Sequence, residues 1–229
     1  GLVGSEMCIR DSYNIYINKR LSFINNKENY LFFKGIQMSQ ETSLVGQFLI
    51  AMPGMDDERF KKSVILITSY SDEGAKGLIV NKPTDILSYK EIVEKNSQDI
   101  DLDEISLDKD VGVFYGGPVD LERVVILHSN DYSIPETNKI SNADCSITGS
   151  KKILPLLLDS KLPNKSKLFI GCSEWQSGQL ESEIKSSDWL IWNSSINIIF
   201  EENTDLVWLK VISSMGINIE SLSNQRGFA

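Results

Sequence analysis

The sequence predicts a compact α/β domain with an α+β tendency, built on a mixed, mostly antiparallel sheet flanked by helices. Three observations carry this. Short apolar runs of strand character outnumber helical stretches and do not alternate with them regularly, which argues against a doubly wound parallel sheet. The chain has 229 residues, 41% hydrophobic and 24% charged, the balance of one ordinary globular domain. Gly and Pro punctuate it at Pro53-Gly54, Asn81-Lys82-Pro83 and Gly116-Gly117-Pro118, where turns are expected.

Residues 1–37 read as a leader of non-native or disordered character, so the domain is expected to occupy 38–229. Gly1–Ser12 resembles a translated sequencing-adapter remnant. From Tyr13 to Gln37, the residues Asn, Ile, Lys, Tyr and Phe supply 18 of 25 positions, a composition with AT-rich codons. The leader lacks the roughly 7–15-residue apolar core and small-residue cleavage site of a signal peptide. Met38 is the natural start on this reading.

From there the elements follow in order. Gln47–Met52 and Ser63–Thr68 are apolar runs expected as strands. Asp56–Phe60 between them is expected as a helical turn with acids at its N-terminal side. Gly77–Val80 is a third strand. Ser88–Asn96 is expected to be a helix, with Ser88 and Glu91 forming a capping box. Gln98–Asp110 is acidic and irregular.

Val111–Tyr115 and Arg123–Leu127 read as buried strands joined by a hairpin or a looser connection, and Ile140–Ile147 as another. Ser150–Leu158 is a helix compromised by Pro155. Leu168–Gly171 is a strand expected to feed directly into a turn and then the helix Gly178–Ser186. There Leu180 and Ile184 share the buried face, and Glu181 and Lys185 pair outside. Trp189–Trp192 and Asn197–Phe200 are late strands. Asp205–Met215 is the clearest helix, with an apolar stripe of Val207, Trp208, Val211, Ile212 and Met215, and Gly216 as its C-cap.

Charge and cysteine content narrow the function. A net charge of −9 disfavours nonspecific nucleic-acid binding, and without the leader 18 basic residues face 29 acidic ones. No run of about 18 apolar residues is present to span a membrane. Cys8, Cys145 and Cys172 match neither a disulfide framework nor a zinc site, which suggests a reducing cytoplasm. One histidine and dispersed cysteines predict no metal, and no cofactor motif is present. The acids at 101–110 depart from a calcium loop, with Ile105 at a ligand position and Ser106 where glycine is needed.

Candidate site residues fall at strand ends, where such folds keep their ligands. The Gly116-Gly117-Pro118 turn could bring backbone N–H groups to an anion, although it lacks a P-loop's Gly-Lys-Ser/Thr. His128 ends an apolar strand and is a candidate base. Gly171-Cys172-Ser173-Glu174-Trp175 nearly matches a nucleophile elbow, but Trp175 replaces the last glycine and the histidine precedes the serine. Trp175, with Gly178 and Gln179 at a helix start, suggests recognition. Lys151, Lys152, Lys161, Lys165 and Lys167 are locally dense and form the candidate nucleic-acid patch.

Taken together, the sequence resembles the AlgH/YqgE family of bacterial proteins. The resemblance rests on Leu44–Pro53, on Asp57, Phe60, Ser63 and Val64, and on Gly74–Pro83. It continues through Gly116–Val119, Leu127-His128, Trp175, Gly178–Glu181, Trp189, Gly216-Ile217 and Gly227–Ala229, covering about residues 43–229. The chain departs where the family carries Ala-Gly before the tryptophan (here Ser173-Glu174) and Gly-His-Ala at the end (here Phe228), which weakens a nucleophile reading. The resemblance implies a compact α/β domain and, in some members, regulation of exopolysaccharide gene expression; it implies no enzyme activity.

The expected protein is a cytoplasmic, non-enzymatic regulator or ligand-binding protein, its partner a small molecule or another protein. Pro53, Asn81, Gly116, Gly117, Pro118, His128, Trp175, Gly178 and Gln179 would line one pocket. The alternatives are a hydrolase using His128 and a direct DNA-binding transcriptional regulator using the lysines.

Overall fold

A computed structural model describes residues 43–95, 112–149, 154, 163–193, 196–200 and 203–215. Of these, Ser43–Ile212 belong to one compact unit. The leader, the acidic segment 98–110 and most of 150–158 lie outside the described residues.

Strand β1 (Phe48–Ala51) is followed by β2 (Val64–Ser71), β3 (Gly74–Ile79) and helix α1 (Tyr89–Lys95). Next come β4 (Val113–Tyr115), β5 (Val119–Ser129), β6 (Thr137–Lys139), β7 (Cys145–Thr148) and β8 (Ser166–Gln176). Helix α2 (Gln179–Lys185), β9 (Trp189–Trp192), 3-10 turns at Ile196–Phe200 and Thr204–Leu206, and helix α3 (Val207–Ser214) close the unit. The strands lie in the order β6-β7-β5-β8-β3-β2-β1-β9, with β4 also beside β8. The β4–β8 pair is parallel, and the other strand pairs are antiparallel.

The chain forms these elements for local reasons. In β2, Val64, Ile65, Leu66 and Ile67 are all buried, since both faces of this central strand are covered, whereas Thr68–Ser71 alternate between half-buried and exposed. Burying each such side chain contributes about 1.5–3 kcal/mol. The capping box of α1 forms as expected. Glu91 Oε2 accepts from Ser88 N at 2.7 Å and Ser88 Oγ at 2.8 Å, while Ser88 Oγ accepts from Glu91 N at 3.2 Å. In α3, Val207, Trp208, Val211 and Ile212 are buried, and the Trp208 indole donates to Ala51 O at 2.8 Å.

Tyr89, Ile92 and Val93 of α1 pack with Val113, Val124, Ile126, Leu154, Leu168 and Ile170 into one core cluster. Tyr89 Oη donates to Leu154 O at 2.8 Å, and burial pushes this phenol up to about 12.

Several expectations are corrected. The expected strand at Asn197–Phe200 is a 3-10 turn at Ile196–Phe200. The expected strand Ile140–Ile147 is a hairpin instead: β6, unforeseen because Thr137, Asn138 and Lys139 carry no apolar alternation, returns as β7 through a turn holding Asn142 at φ 62°. Glu181 accepts a hydrogen bond from Tyr70 Oη at 2.6 Å, a cross-sheet partner the helical spacing did not reveal. The largest change concerns β8. It does not stop at Gly171 but runs on to Gln176, with Gly77, Lys76 and Ala75 opposite Ser173, Glu174 and Trp175. The turn that feeds α2 is therefore at Ser177-Gly178.

The Gly-Gly-Pro segment is the looser connection rather than a hairpin. Along β8, β4 pairs with Leu168, Phe169 and Ile170 in parallel, and β5 pairs antiparallel across the same stretch. Both strands thus border β8 instead of each other. Gly116 crosses close to β8, with its N–H bonded to Ile170 O and its carbonyl accepting from Ile79 N, each at 2.9 Å.

Candidate functional site

Three connections meet at one end of the sheet: the 52–63 loop between β1 and β2, the 80–84 turn after β3, and the 115–118 turn before β5. Asn81 ties the first two. Its Oδ1 accepts from Val64 N at 2.8 Å and its Nδ2 donates to Lys62 O at 2.9 Å, which satisfies a buried strand end. Lys82 reaches across the same gap, donating to Arg59 O at 2.8 Å, while its own carbonyl accepts from Tyr115 N at 2.8 Å. Burial lowers the Lys82 pKa, opposed by the charges of Glu58 and Asp57.

The loop itself is held by Asp57. Phe60 N and Lys61 N bond to its carbonyl, and its carboxylate takes Arg59 Nη2 at 2.7 Å. That hydrogen bond holds the Asp57 carboxyl below its ordinary value, whereas burial raises Tyr115 beside it. The Arg59 side chain remains 60% exposed.

Pro53 enters through this loop, and the loop also leads to the tryptophans. Met52 N donates to Asp188 O at 3.0 Å, just before β9. The Arg59 guanidinium lies 5.7 Å from the Phe60 ring centre, Phe60 meets Trp189 edge-on at 5.7 Å, and Trp189 meets Trp175 edge-on at 6.2 Å. Both indoles donate to one oxygen, Glu183 Oε2, at 2.8 Å each, and Gln179 Nε2 donates to Glu183 Oε1 at 2.9 Å. Gln179 also accepts from Gln176 N at 3.0 Å, which closes the turn at Gly178, where φ is 74°. Glu183 was missed in the sequence, although it lies one helical turn after Gln179. The Trp189 partnership had no sequence signal, because it joins β8 to the far edge of the sheet.

His128 does not join this cluster. It lies opposite Ser166 on β8, while Trp175 is nine residues further along, roughly 30 Å of extended strand. The imidazole is completely buried and bonded at both nitrogens. Ser173 is also buried and bonds to Gly116 O at 3.3 Å. It sits within a strand, so the strand–turn–helix setting of a nucleophile elbow is missing around it.

Cys172 is 5% exposed, and burial, reinforced by Glu174, pushes its thiol up to about 11. Burial likewise pushes Cys145 up to about 12. At pH 8 a thiol so raised carries on the order of 100-fold less thiolate than a free cysteine. Iodoacetamide should therefore label Cys172 and Cys145 at least about 100-fold more slowly than a cysteine-containing model peptide. Peptide mapping over time checks this, and labelling of Cys172 at the peptide's rate would refute it.

Of the lysine patch, Lys151, Lys152 and Lys161 lie outside the described residues. Lys165 donates to Asn197 Oδ1 at 2.9 Å and lies 5.9 Å from the Phe200 ring centre, and Lys167 lies 4.3 Å from that of Phe114. Among the described residues no group of His, Cys, Asp and Glu is placed to hold a metal ion. None of their helices is long and apolar enough to cross a membrane.

The described sheet and its helices form an α/β unit in which three connections meet at one end. A model of the AlgH-like family matches residues 48–220. A UPF0301 protein of Pseudoalteromonas translucida is 36% identical over 187 residues, covering 82% of this chain and 99% of that one. Another, from Rhizobium etli, is 35% identical over 189 residues, covering 80% and 92%. The solution structure of the AlgH protein from Pseudomonas aeruginosa superimposes with a TM-score of 0.65 at 28% identity, covering 85% of this chain and all of that one. A Corynebacterium diphtheriae crystal structure, 22% identical with a TM-score of 0.54, shares the fold. The chain belongs to the AlgH-like family.

Proposed function

We propose that this chain is a non-enzymatic binding protein of regulatory type, reading a small ligand or a partner at the end of the sheet where the 52–63, 80–84 and 115–118 connections meet. One observation carries this. The groups the sequence offered for nucleophilic or acid–base work, His128, Cys172 and Ser173, are buried and bonded within the sheet. A base or nucleophile has to reach its substrate within hydrogen-bonding distance. What faces outward at the connections is binding chemistry instead: the exposed Arg59 guanidinium over Phe60, half-buried Tyr115 and Lys82, and Pro53.

The test is a thermal-shift screen of the full chain against nucleotides, cyclic dinucleotides and common metabolites, with each hit followed by NMR of the ligand. A hit at 100 times its dissociation constant stabilises the fold by about 2.7 kcal/mol. The expected result is a shift lost in Arg59→Ala, with the ligand recovered unchanged. Catalytic conversion of the ligand, abolished in His128→Gln, would overturn the reading in favour of a hydrolase.

A further inference from the structure

The end of the sheet where the connections meet holds a half-buried cation with no carboxylate of its own. Lys82 Nζ donates to two carbonyls, Arg59 O at 2.8 Å and Glu58 O at 3.4 Å, which anchors the ammonium between the 80–84 turn and the 52–63 loop. Carbonyls accept its protons but do not neutralise its charge. The carboxylates it feels are already engaged: Glu58 Oε1 accepts from Lys61 Nζ at 2.8 Å, and Asp57 binds the Arg59 guanidinium. Lys82 itself forms no ion pair among the described residues. Burial strips part of its water and lowers its pKa, so an anion beside it would restore the interaction that water supplied.

Two more donors border the same gap. Asp57 engages Nε and Nη2 of Arg59, at 3.0 and 2.7 Å, which leaves Nη1 outside the pair on a side chain that is 60% exposed. The half-buried Tyr115 phenol feels the charges of both Arg59 and Asp57, and its hydroxyl has no hydrogen-bond partner among the described residues. Tyr115 N donates to Lys82 O at 2.8 Å, so the tyrosine's strand is fastened to the lysine's turn. The local charge also differs from that of the whole. The 52–63 and 80–84 segments carry Arg59, Lys61, Lys62 and Lys82 against Asp56, Asp57 and Glu58, an excess of positive charge in a chain whose net charge is −9.

We propose that the ligand bound at this end is a small molecule carrying a phosphate group, seated on the Lys82 ammonium and held by the Arg59 guanidinium and the Tyr115 hydroxyl. The inference rests on the binding reading above and gives its ligand a chemistry. Lysine serves phosphate as a compact point charge, and arginine adds charge-assisted hydrogen bonds. A phosphate group presents three acceptor oxygens in different directions, which suits donors arriving from three separate connections. A carboxylate presents two oxygens in one plane. The Asp57 carboxylate sets the direction of the guanidinium and leaves the lysine charge unpaired.

Amide NMR of the full chain, titrated with inorganic phosphate at about pH 7 against sodium chloride of matched ionic strength, tests this. Phosphate should cause saturable shifts at residues 57–62, 81–82 and 115–117 that chloride does not cause. Lys82→Met keeps the aliphatic stem without the charge and should weaken phosphate binding at least about tenfold, and Tyr115→Phe about threefold. A second readout needs no variant: phosphate should slow acetylation of Lys82 by acetic anhydride, followed by peptide mapping, several-fold more than that of exposed Lys90. Shifts no larger than those with chloride, equal binding by Lys82→Met, or equal slowing at Lys82 and Lys90 would overturn the phosphate site. A thermal-shift hit that lacks phosphate and is still lost in Arg59→Ala would leave the binding protein standing and remove its phosphate. A screen without hits would remove the binding reading itself.

Discussion

Replacing Glu183 by alanine is expected to destabilise the domain by about 3–5 kcal/mol, because it strips the acceptor from two buried indole N–H groups at once. Trp175 and Trp189 are 6% and 3% exposed, and both donate at 2.8 Å to the same carboxylate oxygen. Each buried donor left without a partner costs about 1–3 kcal/mol. For a chain of this size the loss lowers Tm by roughly 10 °C. Glu183→Gln keeps one carbonyl oxygen of similar reach, so about half the stability should return. Gln179→Ala removes an exposed partner of the other oxygen and should cost under about 1 kcal/mol. Urea unfolding followed by tryptophan fluorescence measures all three. A Glu183→Ala loss below about 1 kcal/mol would mean that the indoles are satisfied some other way.

That carboxylate also shows how far the sequence could be read. Periodicity and turn chemistry located α1 with its capping box, α3 with its buried stripe, and the apolar cores of β1, β2, β5 and β9, because each is decided by residues within a few positions of one another. The end of β8 was misread for the same reason. Gly171-Cys172-Ser173 carries turn residues, and pairing across the sheet keeps the strand extended through it, with Cys172 opposite Val119 of β5 and Ser173, Glu174 and Trp175 opposite Gly77, Lys76 and Ala75 of β3. β6 was invisible, since a strand of Thr, Asn and Lys is held by its neighbour and by a hydroxyl, not by its own apolar face.

The site divides along the same line. Pro53, Asn81, Gly116, Gly117 and Pro118 lie in or beside the connected loops, and Trp175, Gly178 and Gln179 lie about the Trp175–Trp189 pair. His128 lies at the far end of a long strand, a displacement that follows from register and leaves no trace in composition. Arg59, Lys82 and Tyr115 look like ordinary surface residues until the fold brings their loops together.

Gly117→Ala should be among the most damaging single methyls in the described domain, costing more than about 4 kcal/mol and leaving little folded protein. Two costs combine. Its φ of 151° is one that side chains rarely adopt, and a Cβ there would overlap the backbone of Cys172 and Ser173. Neither obstacle can rotate away, so β8 itself would have to move, and β8 is paired on both edges. Two other glycines separate these costs. Gly178 has φ 74° with open space around its would-be Cβ, so alanine there meets only the left-handed penalty of about 1 kcal/mol. Gly149 has neither feature, and alanine should change stability by less than about 0.5 kcal/mol. Soluble yield and thermal unfolding of the three variants give the ranking. A Gly117→Ala protein that melts within about 3 °C of wild type would refute the close crossing of the Gly116-Gly117 segment over β8. The order Gly117, Gly178, Gly149 would show that Gly117 is there to let two backbones touch.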